Sequence, residues 1–368
     1  MSGFLSPSIT LLSSLQVLDL GGQVNISGTI PNSIGSKLPN LRKLVLFGNK
    51  ITGPIPDSIL ELTKLEKLDL HSNSLSGTIL ENIGVLKSLT YLDFSDNKLE
   101  GMIPTSMGNL SSLEFLGLSR NRLNGTIPSS MGNLSQLTEL YIDWNMLSGT
   151  IPKSLVNLKA LEEFIASYNM IQDPLPQEIS TLGNMFKLDL SFNHLNLDTI
   201  PAWLVGMPNL TEISLAGCGI KSLDALENRT DIHTMEFSSN NLTGSIPAWI
   251  GKFKTLYVLN LSRNAFVSNI PSTGLLGTLD ISHNLLQSTL PESLASEGLM
   301  SKLYLQNNRL TGEIPRIYDQ IGNLQELDLS NNFLVGKIPV GGPFEKFSKG
   351  SYIGNKGLCG TPLPPCTK

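Results

Sequence analysis

Three aromatic residues recur at a fixed spacing of 24 positions in this 368-residue chain: Trp144, Tyr168 and Phe192. A constant spacing would place them on one face of a repeating structure, where their rings would stack as an exposed column. Exposed aromatic rings gathered in one patch are typical of protein interfaces, so they indicate recognition rather than covalent catalysis. Residues at nearby positions would extend or border this column: Tyr91, Phe115, Arg120, Tyr141, Asp143 and Glu163.

The charged neighbours of the rings set further expectations. We expect Arg120 to lie close enough to Trp144 for a cation–π contact. Glu139 and Glu163 would give the patch an acidic rim. In the alternative interpretation, the rings fold back over the chain beneath them and pack only with each other.

Residues suited to catalysis or metal binding are scattered. The four histidines are His71, His194, His233 and His283. They fall in well-separated segments, so no pair of them has the spacing of a metal site. Gly-x-Ser-x-Gly, phosphate-loop and dinucleotide motifs are absent from the sequence, and adjacent carboxylates such as Glu162 and Glu163 are usually solvated. The sequence therefore predicts no catalytic residue, no metal site, no cofactor and no enzyme.

A repeating apolar pattern must position these residues. Residues 113–128 read LEFLGLSRNRLNGTIP, and the same pattern returns about every 24 residues over 15–339. The alternation within LGL is typical of a short strand, and a repeat of this length is the signature of a leucine-rich solenoid. The first apolar residues of its fourteen copies are Leu15, Leu41, Leu65, Leu89, Leu113, Leu137, Leu161, Met185, Leu210, Ile232, Leu256, Leu276, Met300 and Leu324.

The spacing is shortest at two steps, from Leu210 to Ile232 (22 residues) and from Leu256 to Leu276 (20 residues). These steps leave too few residues for a full outer segment, so we expect flattened or kinked outer loops there.

Asparagine follows each strand in twelve copies, where its amide can satisfy backbone groups at an inward turn. Cys218 holds the same position in another copy, which predicts a buried turn residue, and a reactive thiol is the alternative. A Gly-x-Ile-Pro motif recurs after the asparagine and suits a tight turn and an extended edge. The asparagines are Asn49, Asn73, Asn97, Asn121, Asn145, Asn169, Asn193, Asn240, Asn264, Asn284, Asn308 and Asn332.

The free positions in and after the strands carry mainly Asp and Ser, which we interpret as solvated residues of the strand face. The aspartates are Asp69, Asp93, Asp189, Asp280 and Asp328, and the serines are Ser95, Ser119, Ser167, Ser191, Ser238, Ser262, Ser282 and Ser330. The predicted fold is an α/β leucine-rich repeat solenoid. It is a right-handed curved superhelix with a parallel β-sheet on the concave side and short 3-10 or irregular segments on the convex side.

Three regions follow from the pattern: the tail of a preceding repeat (1–14), fourteen repeats (15–339) and a C-terminal cap (340–368). Met1 begins neither a recognisable signal peptide nor an N-terminal cap, so we expect a chain truncated at its start. Cys359 and Cys366 lie seven residues apart in a Gly/Pro-rich segment, which predicts a disulfide and an oxidising compartment.

Composition sets the remaining limits. The net charge of −5 gives no reason to expect a nucleic-acid surface, and no run of 18 apolar residues predicts a membrane span. N-glycosylation motifs are frequent, and most lie at the ends of strands, which would leave most of the concave sheet bare. They start at Asn25, Asn109, Asn124, Asn133, Asn209, Asn228, Asn241 and Asn260, of which only Asn260 lies within a concave strand.

With these motifs in place, the chain resembles the plant-specific leucine-rich repeat class of receptor-like kinases, receptor-like proteins and polygalacturonase-inhibiting proteins. The resemblance rests on the Leu-x-Gly-x-Ile-Pro columns and on the closing segment GNKGLCGTPLPPC at 354–366, and it covers nearly the whole chain. It implies an extracellular or plasma-membrane-surface solenoid that binds peptides, small hormones, glycans or proteins, often with a co-receptor.

The resemblance therefore predicts the ligand-recognition ectodomain of a plant receptor-like protein or kinase, signalling in defence or development. Its peptide or protein ligand would lie across repeats four to eight. The alternative is a secreted inhibitor of microbial cell-wall-degrading enzymes. Two departures bear on the choice: the inhibitors are shorter, near ten repeats, and neither a membrane span nor a kinase domain follows within the sequence.

Overall fold

The computed structural model describes residues 2–271, 276–295 and 299–366, and its contacts divide the chain into two compact units. The first unit comprises residues 1–195 and 206–210, and the second comprises residues 196–205 and 211–368. Both units repeat one element along the chain: an inner strand, a turn stabilised by an amide, an extended outer segment and a short helical segment.

The inner strands of the first unit form a parallel sheet in chain order. Neighbouring strands pair in register at the repeat spacing, so that Phe115 lies opposite Glu139 and Leu116 opposite Leu140. The central leucine or phenylalanine of each strand is buried, and its two neighbours point to the other face. These strands are Val17–Asp19, Lys43–Val45, Lys67–Asp69, Tyr91–Asp93, Phe115–Gly117, Glu139–Tyr141, Glu163–Ile165 and Lys187–Asp189.

The outer strands of the first unit form a second parallel sheet. They are Ser2–Phe4, Asn25–Gly28, Lys50–Gly53, Ser74–Thr78, Lys98–Met102, Arg122–Thr126, Met146–Gly149 and Met170–Ile171. Short helical segments lie on the convex side, and prolines such as Pro104 and Pro128 precede several of them with φ near the value that the ring fixes. These segments are Pro7–Leu11, Ile34–Lys37, Asp57–Glu61, Ile83–Val85, Thr105–Asn109, Ser129–Asn133, Lys153–Asn157 and Gln177–Thr181.

The second unit repeats this plan with shorter outer strands. Its inner parallel strands are Glu212–Ser214, Thr234–Glu236, Val258–Asn260, Thr278–Asp280, Lys302–Tyr304 and Glu326–Asp328. Its outer strands are Thr243–Ser245, Ala265–Val267, Thr311–Gly312, Phe333–Lys337 and Gly357–Cys359. Its helical segments are Ala202–Val205, Asp224–Leu226, Ala248–Lys252, Glu292–Ala295, Arg316–Gln320, Gly342–Lys346 and Lys349–Ser351.

The asparagine column forms a ladder of amides that holds successive turns together. Asn145 accepts a hydrogen bond from the backbone N–H of Leu123 at 2.9 Å. Its Nδ2 donates to the carbonyls of Leu118, Ile142 and Asp143 at 3.0–3.2 Å. One side chain therefore satisfies four backbone groups that the turn withdraws from water.

Cys218 takes the asparagine position and is fully buried, in agreement with its prediction as a buried turn residue. Its backbone N–H donates to the amide oxygen of Asn240 at 3.0 Å, and its Sγ lies 3.5 Å from the carbonyl oxygen of Ala216. Because the side chain has no exposed surface, the thiol has no access to a solvent-borne reagent in the folded state.

The C-terminal segment contains the predicted disulfide between Cys359 and Cys366. The strand Gly357–Cys359 pairs with Phe333–Lys337, and Asn355 continues the amide ladder by accepting from the N–H of Leu334 at 3.0 Å. The sequence pattern did not include Asn355, because the leucines that mark the position are missing around it.

The convex side differs from the sequence expectations in its helical segments. Two convex segments, Ile34–Lys37 and Ala202–Val205, are single α-helical turns rather than 3-10 helices. In the 22-residue repeat, the helical segment is Asp224–Leu226, the same three-residue length as Ile83–Val85 in a 24-residue repeat. The outer part of the 20-residue repeat includes 272–275, which lie outside the described residues. No helix in the described ranges is long and apolar enough to cross a membrane.

Candidate functional site

The aromatic column arises from an unusual backbone position. In all fourteen repeats of the described chain, the residue directly before the ladder position (an amide, or Cys218) has φ between +52° and +68°. The residue before that one lies on the inner face. Glycine, asparagine, aspartate and serine fill this left-handed position in most repeats. For a bulky side chain the conformation is a genuine outlier. Three consecutive repeats nevertheless place Trp144, Tyr168 and Phe192 there, at φ 52°, 52° and 53°.

The three rings form a continuous stack, which we call the aromatic column. The ring centroids of Trp144 and Tyr168 are 3.9 Å apart with 14° between their planes. Those of Tyr168 and Phe192 are 4.5 Å apart with 24° between their planes. Stacking does not hide them: Trp144 is 43% exposed and Tyr168 37% exposed. The column therefore presents apolar ring surface to solvent while its members pack together, which combines both interpretations of the sequence.

Arg120 occupies the left-handed position one repeat before Trp144 and continues the column with a cation. Its guanidinium carbon lies 5.0 Å from the centre of the Trp144 ring, within cation–π range. Asp96, one repeat earlier, lies 3.8 Å from Arg120 Nε. Both side chains are largely exposed, so their ion pair contributes little to stability.

A second aromatic group, the tyrosine–glutamate cluster, lies within the inner strands. The rings of Tyr91 and Phe115 stack at 4.4 Å, and Phe115 meets Tyr141 edge-on at 5.4 Å. The Tyr141 hydroxyl lies 2.7 Å from an oxygen of Glu139 and 2.9 Å from an oxygen of Glu163. A phenol has one proton, so two carboxylates converge on a single donor. Burial and these two carboxylates raise the pKa of Tyr141 far above its usual range, so the phenol stays protonated.

Asp143 lies between the two aromatic groups and accepts a short hydrogen bond from the Ser119 hydroxyl. Partial burial is the main cause that raises the pKa of Asp143, and the nearby negative charge of Asp189 raises it further. Cations close to this region include Lys187, 3.5 Å from Glu163, Arg120, and Lys67, whose ammonium lies 3.7 Å from the centre of the Tyr91 ring. Acidic groups therefore outnumber basic ones around the rings.

The structure places the nine predicted ligand-binding residues in one stretch of the first unit but in two ring groups rather than one. The aromatic column contains Trp144, Tyr168 and Phe192 with Arg120 at its end, and the tyrosine–glutamate cluster contains Tyr91, Phe115, Tyr141 and Glu163, with Asp143 between them. Whether these residues bind a ligand stays a prediction.

The interpretation of the strand-face aspartates and serines as solvated is wrong for several of them. Asp69 is 2% exposed and Asp93 is 7% exposed, and Ser167, Ser191 and Ser282 are also buried. Several also act as local caps: the N–H of Ser191 donates to Asp189 at 2.9 Å and that of Ser330 to Asp328 at 2.9 Å, while Asp280 accepts from Ser282 at 3.0 Å.

The spacing of the histidines alone did not predict a mixed carboxylate–imidazole cluster formed by Asp69, His71 and Asp93. His71 Nδ1 lies 2.6 Å from Asp69 and 3.5 Å from Asp93. The sequence does contain a pattern that would predict this cluster. Asp69 and His71 stand at alternate positions of one repeat, and Asp93 follows Asp69 by one 24-residue period. Alternate positions share a strand face, and a full period places residues on neighbouring strands.

The predicted N-glycosylation asparagines are accessible in all but one case. Seven are exposed: Asn25, Asn109, Asn124, Asn133, Asn209, Asn228 and Asn241. Asn260 is partly buried on an inner strand, and its Oδ1 accepts from the N–H of Ser262 at 3.0 Å. Glycan attachment at these sites stays a prediction.

The sequence profile of the leucine-rich repeat region family matches residues 68–267, and a second repeat profile matches 40–62 and 323–342. The chain belongs to the leucine-rich repeat family. Among curated relatives, this leucine-rich repeat chain is 33% identical over 119 residues to receptor-like protein 49 of Arabidopsis thaliana, covering 29% of the chain and 14% of the relative. It is 31% identical over 139 residues to a polygalacturonase inhibitor of Vitis vinifera, covering 37% of the chain and 34% of the inhibitor.

Among solved structures, the repeats are similar to a plant peptide hormone receptor, RGFR1 in complex with RGF2. The identity is 32% and the TM-score 0.70, over 92% of this chain and 66% of the receptor chain. The leucine-rich repeat chain thus spans only part of the proteins that it matches, and its fold is that of plant receptor ectodomains.

Proposed function

We propose that this chain is a ligand-recognition ectodomain of a plant receptor-like protein or receptor-like kinase, and that it binds a peptide or protein on the concave side of repeats four to eight. The observation that carries the proposal is the aromatic column. The proposal is also supported by the chain's relatives, which are named receptor-like proteins, and by its similarity to a peptide hormone receptor.

The aromatic column is difficult to explain as packing alone. A bulky residue in the left-handed region costs of order 1–3 kcal/mol, and it persists only where the surroundings impose it. Other repeats close the same turn with Gly48, Ser72 or Asn331. Three large rings at this position, two of them exposed, add an apolar surface that solvent does not favour. Bound to a partner, that surface would be desolvated and would stabilise the complex.

The surrounding charges define the chemistry of the ligand. Glu139 and Glu163 face each other directly across two neighbouring strands, where like charges are destabilising. The Tyr141 hydroxyl lies within hydrogen-bond distance of both carboxylates but has one proton to donate. Lys187 already lies 3.5 Å from Glu163, and a ligand guanidinium or ammonium group beside Glu139 would offset the remaining negative charge. We therefore expect a ligand segment with a basic side chain next to an apolar or aromatic one.

The proposed location is the extracellular side of the plasma membrane. The disulfide between Cys359 and Cys366 suits an oxidising compartment, and the exposed glycosylation motifs suit a secreted chain. Signalling in defence or development, together with a receptor-kinase co-receptor, completes the proposal.

The test is selection of a random 12-residue peptide library on the purified chain, followed by affinity measurement of the captured peptides. Replacing both Trp144 and Tyr168 by alanine should weaken binding by at least 2 kcal/mol, roughly 30-fold, if the rings are hot spots. Phe333→Ala is the matched control, because Phe333 is an exposed aromatic residue on an outer strand of the second unit. Equal affinities of wild type and double variant would contradict the proposed site.

The predicted ligand charge is tested on the same peptides. Captured sequences should be enriched in arginine and lysine, and Glu139→Gln combined with Glu163→Gln should remove that enrichment. Selection of acidic peptides by the wild type would contradict the charge argument while leaving the aromatic column in place.

A second candidate function is favoured by the polygalacturonase inhibitor from Vitis vinifera among the relatives. In that case the concave face would hold a secreted cell-wall-degrading enzyme. Assays of fungal polygalacturonases with and without the chain separate the two: dose-dependent inhibition, lost in the Trp144→Ala, Tyr168→Ala variant, would favour the inhibitor.

A further inference from the structure

The cluster of Asp69, His71 and Asp93 lies on the inner face of the first unit, away from the aromatic column. Each of the three residues offers one possible metal-ligand atom, and these three atoms all lie within 4.8 Å of one another. Asp69 ends the strand Lys67–Asp69, His71 follows two residues later, and Asp93 ends the next strand. Asp69 and Asp93 are register partners, so the sheet itself fixes their separation.

In each aspartate, one carboxylate oxygen contacts a neighbouring residue and the other faces His71. The N–H of Ser95 donates to Asp93 Oδ1 at 2.9 Å, and the ammonium of Lys67 lies 3.2 Å from Asp69 Oδ2. The other oxygens, Asp69 Oδ1 and Asp93 Oδ2, point at His71 Nδ1. Outer contacts of this kind orient metal ligands and set their basicity. The arrangement therefore presents two carboxylate oxygens and one imidazole nitrogen toward one point.

The surroundings hold the three groups in place. The His71 ring stacks on Phe47 with centroids 4.7 Å apart and 4° between the planes. On the far side of Asp93, a Cβ at Gly117 would lie 2.5 Å from Asp93 Oδ1, so the glycine leaves the room that this carboxylate occupies. The Tyr91 hydroxyl donates to Asp93 Oδ2 at 3.3 Å, a long contact that an ion could displace. A preformed cluster binds an ion without the cost of assembling its ligands.

We propose that Asp69, His71 and Asp93 bind one Zn²⁺ ion. Tetrahedral zinc with bonds of about 2.0–2.2 Å has ligand atoms roughly 3.3–3.5 Å apart. The 3.5 Å between His71 Nδ1 and Asp93 Oδ2 already fits, and the 2.6 Å between His71 Nδ1 and Asp69 Oδ1 requires a small rotation. The imidazole favours zinc over calcium or magnesium, which take oxygen ligands.

The charges of the cluster also favour a cation at this point. Two nearly buried carboxylates require about two positive charges nearby, since burial of an unpaired carboxylate is costly. Lys67 supplies one positive charge to Asp69 from the side away from His71, and its ammonium also lies 3.7 Å above the Tyr91 ring. The fourth position of the ion would face the solvent of the inner side, where His71 is partly exposed.

The experiment is isothermal titration of the chelator-treated chain with ZnCl₂ at pH 7.5. The expected result is saturable binding of one ion per chain. His71→Ala and Asp93→Asn should each lower the affinity at least tenfold. His283→Ala is the matched control, because His283 also lies on the inner side but has an amide, Asn307, as its neighbour at 3.3 Å. It should bind zinc as the wild type does.

Asp69→Asn is a third variant, for the case that the other two do not fold. It keeps the shape of the side chain and removes its charge. Circular dichroism of each variant identifies those that fold, and one folded variant is sufficient. The proposal is overturned if the wild type shows no saturable heat, or if the folded variants among His71→Ala, Asp93→Asn and Asp69→Asn bind zinc as tightly as His283→Ala does. These outcomes are independent of the peptide ligand.

Discussion

At the scale of the residue, one asparagine in most repeats forms hydrogen bonds with buried backbone groups. The amide of Asn169 is the clearest case. Its Oδ1 accepts from the N–H of Leu147 at 2.9 Å, and its Nδ2 donates to the carbonyls of Ile142, Ala166 and Ser167. All four backbone groups lie in the interior, where an unmade hydrogen bond is more costly than a made one is favourable.

We expect Asn169→Ala to destabilise the chain by about 3–5 kcal/mol, because buried donors and acceptors lose their partner together. Urea unfolding followed by circular dichroism measures the change. Asn157→Ala is the control, since Asn157 is exposed at the end of a convex 3-10 helix. Equal effects of the two substitutions would show that the ladder contributes no stability.

Residue types and period were sufficient to predict part of the site. An aromatic residue recurring every 24 positions had to stack, and the rings of Trp144 and Tyr168 do so. The contact of Tyr141 with two glutamates and the cluster around His71 were not predicted. Both depend on which way side chains turn across neighbouring strands, and a one-dimensional pattern does not contain rotamers.

At the scale of the element, the convex segments pack backbone against backbone. Gly84, Gly108 and Gly132 occupy equivalent places in successive 3-10 helices. A Cβ on Gly132 would lie 2.3 Å from the carbonyl oxygen of Ser154 in the next repeat. The sequence shows these glycines but not their reason, because the approach of two convex segments is a tertiary distance.

Gly132→Ala should therefore destabilise the chain by about 1–3 kcal/mol, the usual effect of overpacking where backbone must shift. Gly183→Ala provides the comparison, since no atom lies within 4 Å of its added Cβ. It should be neutral or slightly stabilising, because alanine restricts the unfolded chain. Thermal unfolding of the two variants would contradict this account if Gly132→Ala melted at or above the temperature of Gly183→Ala.

At the scale of the whole molecule, a repeat chain is stabilised by interactions between neighbours, so a defect stays local. The C-terminal segment closes the second unit through Tyr352, which is fully buried, and through the strand Gly357–Cys359. The disulfide between Cys359 and Cys366 fastens this segment. The spacing of the two cysteines in a Gly/Pro-rich segment predicted the pairing, whereas the burial of Tyr352 needed the structure.

Replacing Cys359 and Cys366 by serine should lower the stability of the segment by about 2 kcal/mol, as for a short closed loop. Hydrogen exchange should rise in Gly357–Cys359 and in its neighbour Phe333–Lys337, while Glu139–Tyr141 in the first unit keeps its protection. Unchanged exchange at the C-terminal strand, or a uniform rise along the chain, would contradict a local role.

The left-handed position before each ladder amide affects how the inner face of the solenoid can evolve. Its backbone angle is nearly the same whether the residue is Ser72, Arg120, Trp144 or Asn331. The backbone of the turn thus stays the same while the displayed side chain varies, and a bulky side chain costs of order 1–3 kcal/mol there. The surface can therefore change one repeat at a time, within the limit that the stability of the solenoid sets. A library randomised at these positions should yield folded chains with many different specificities.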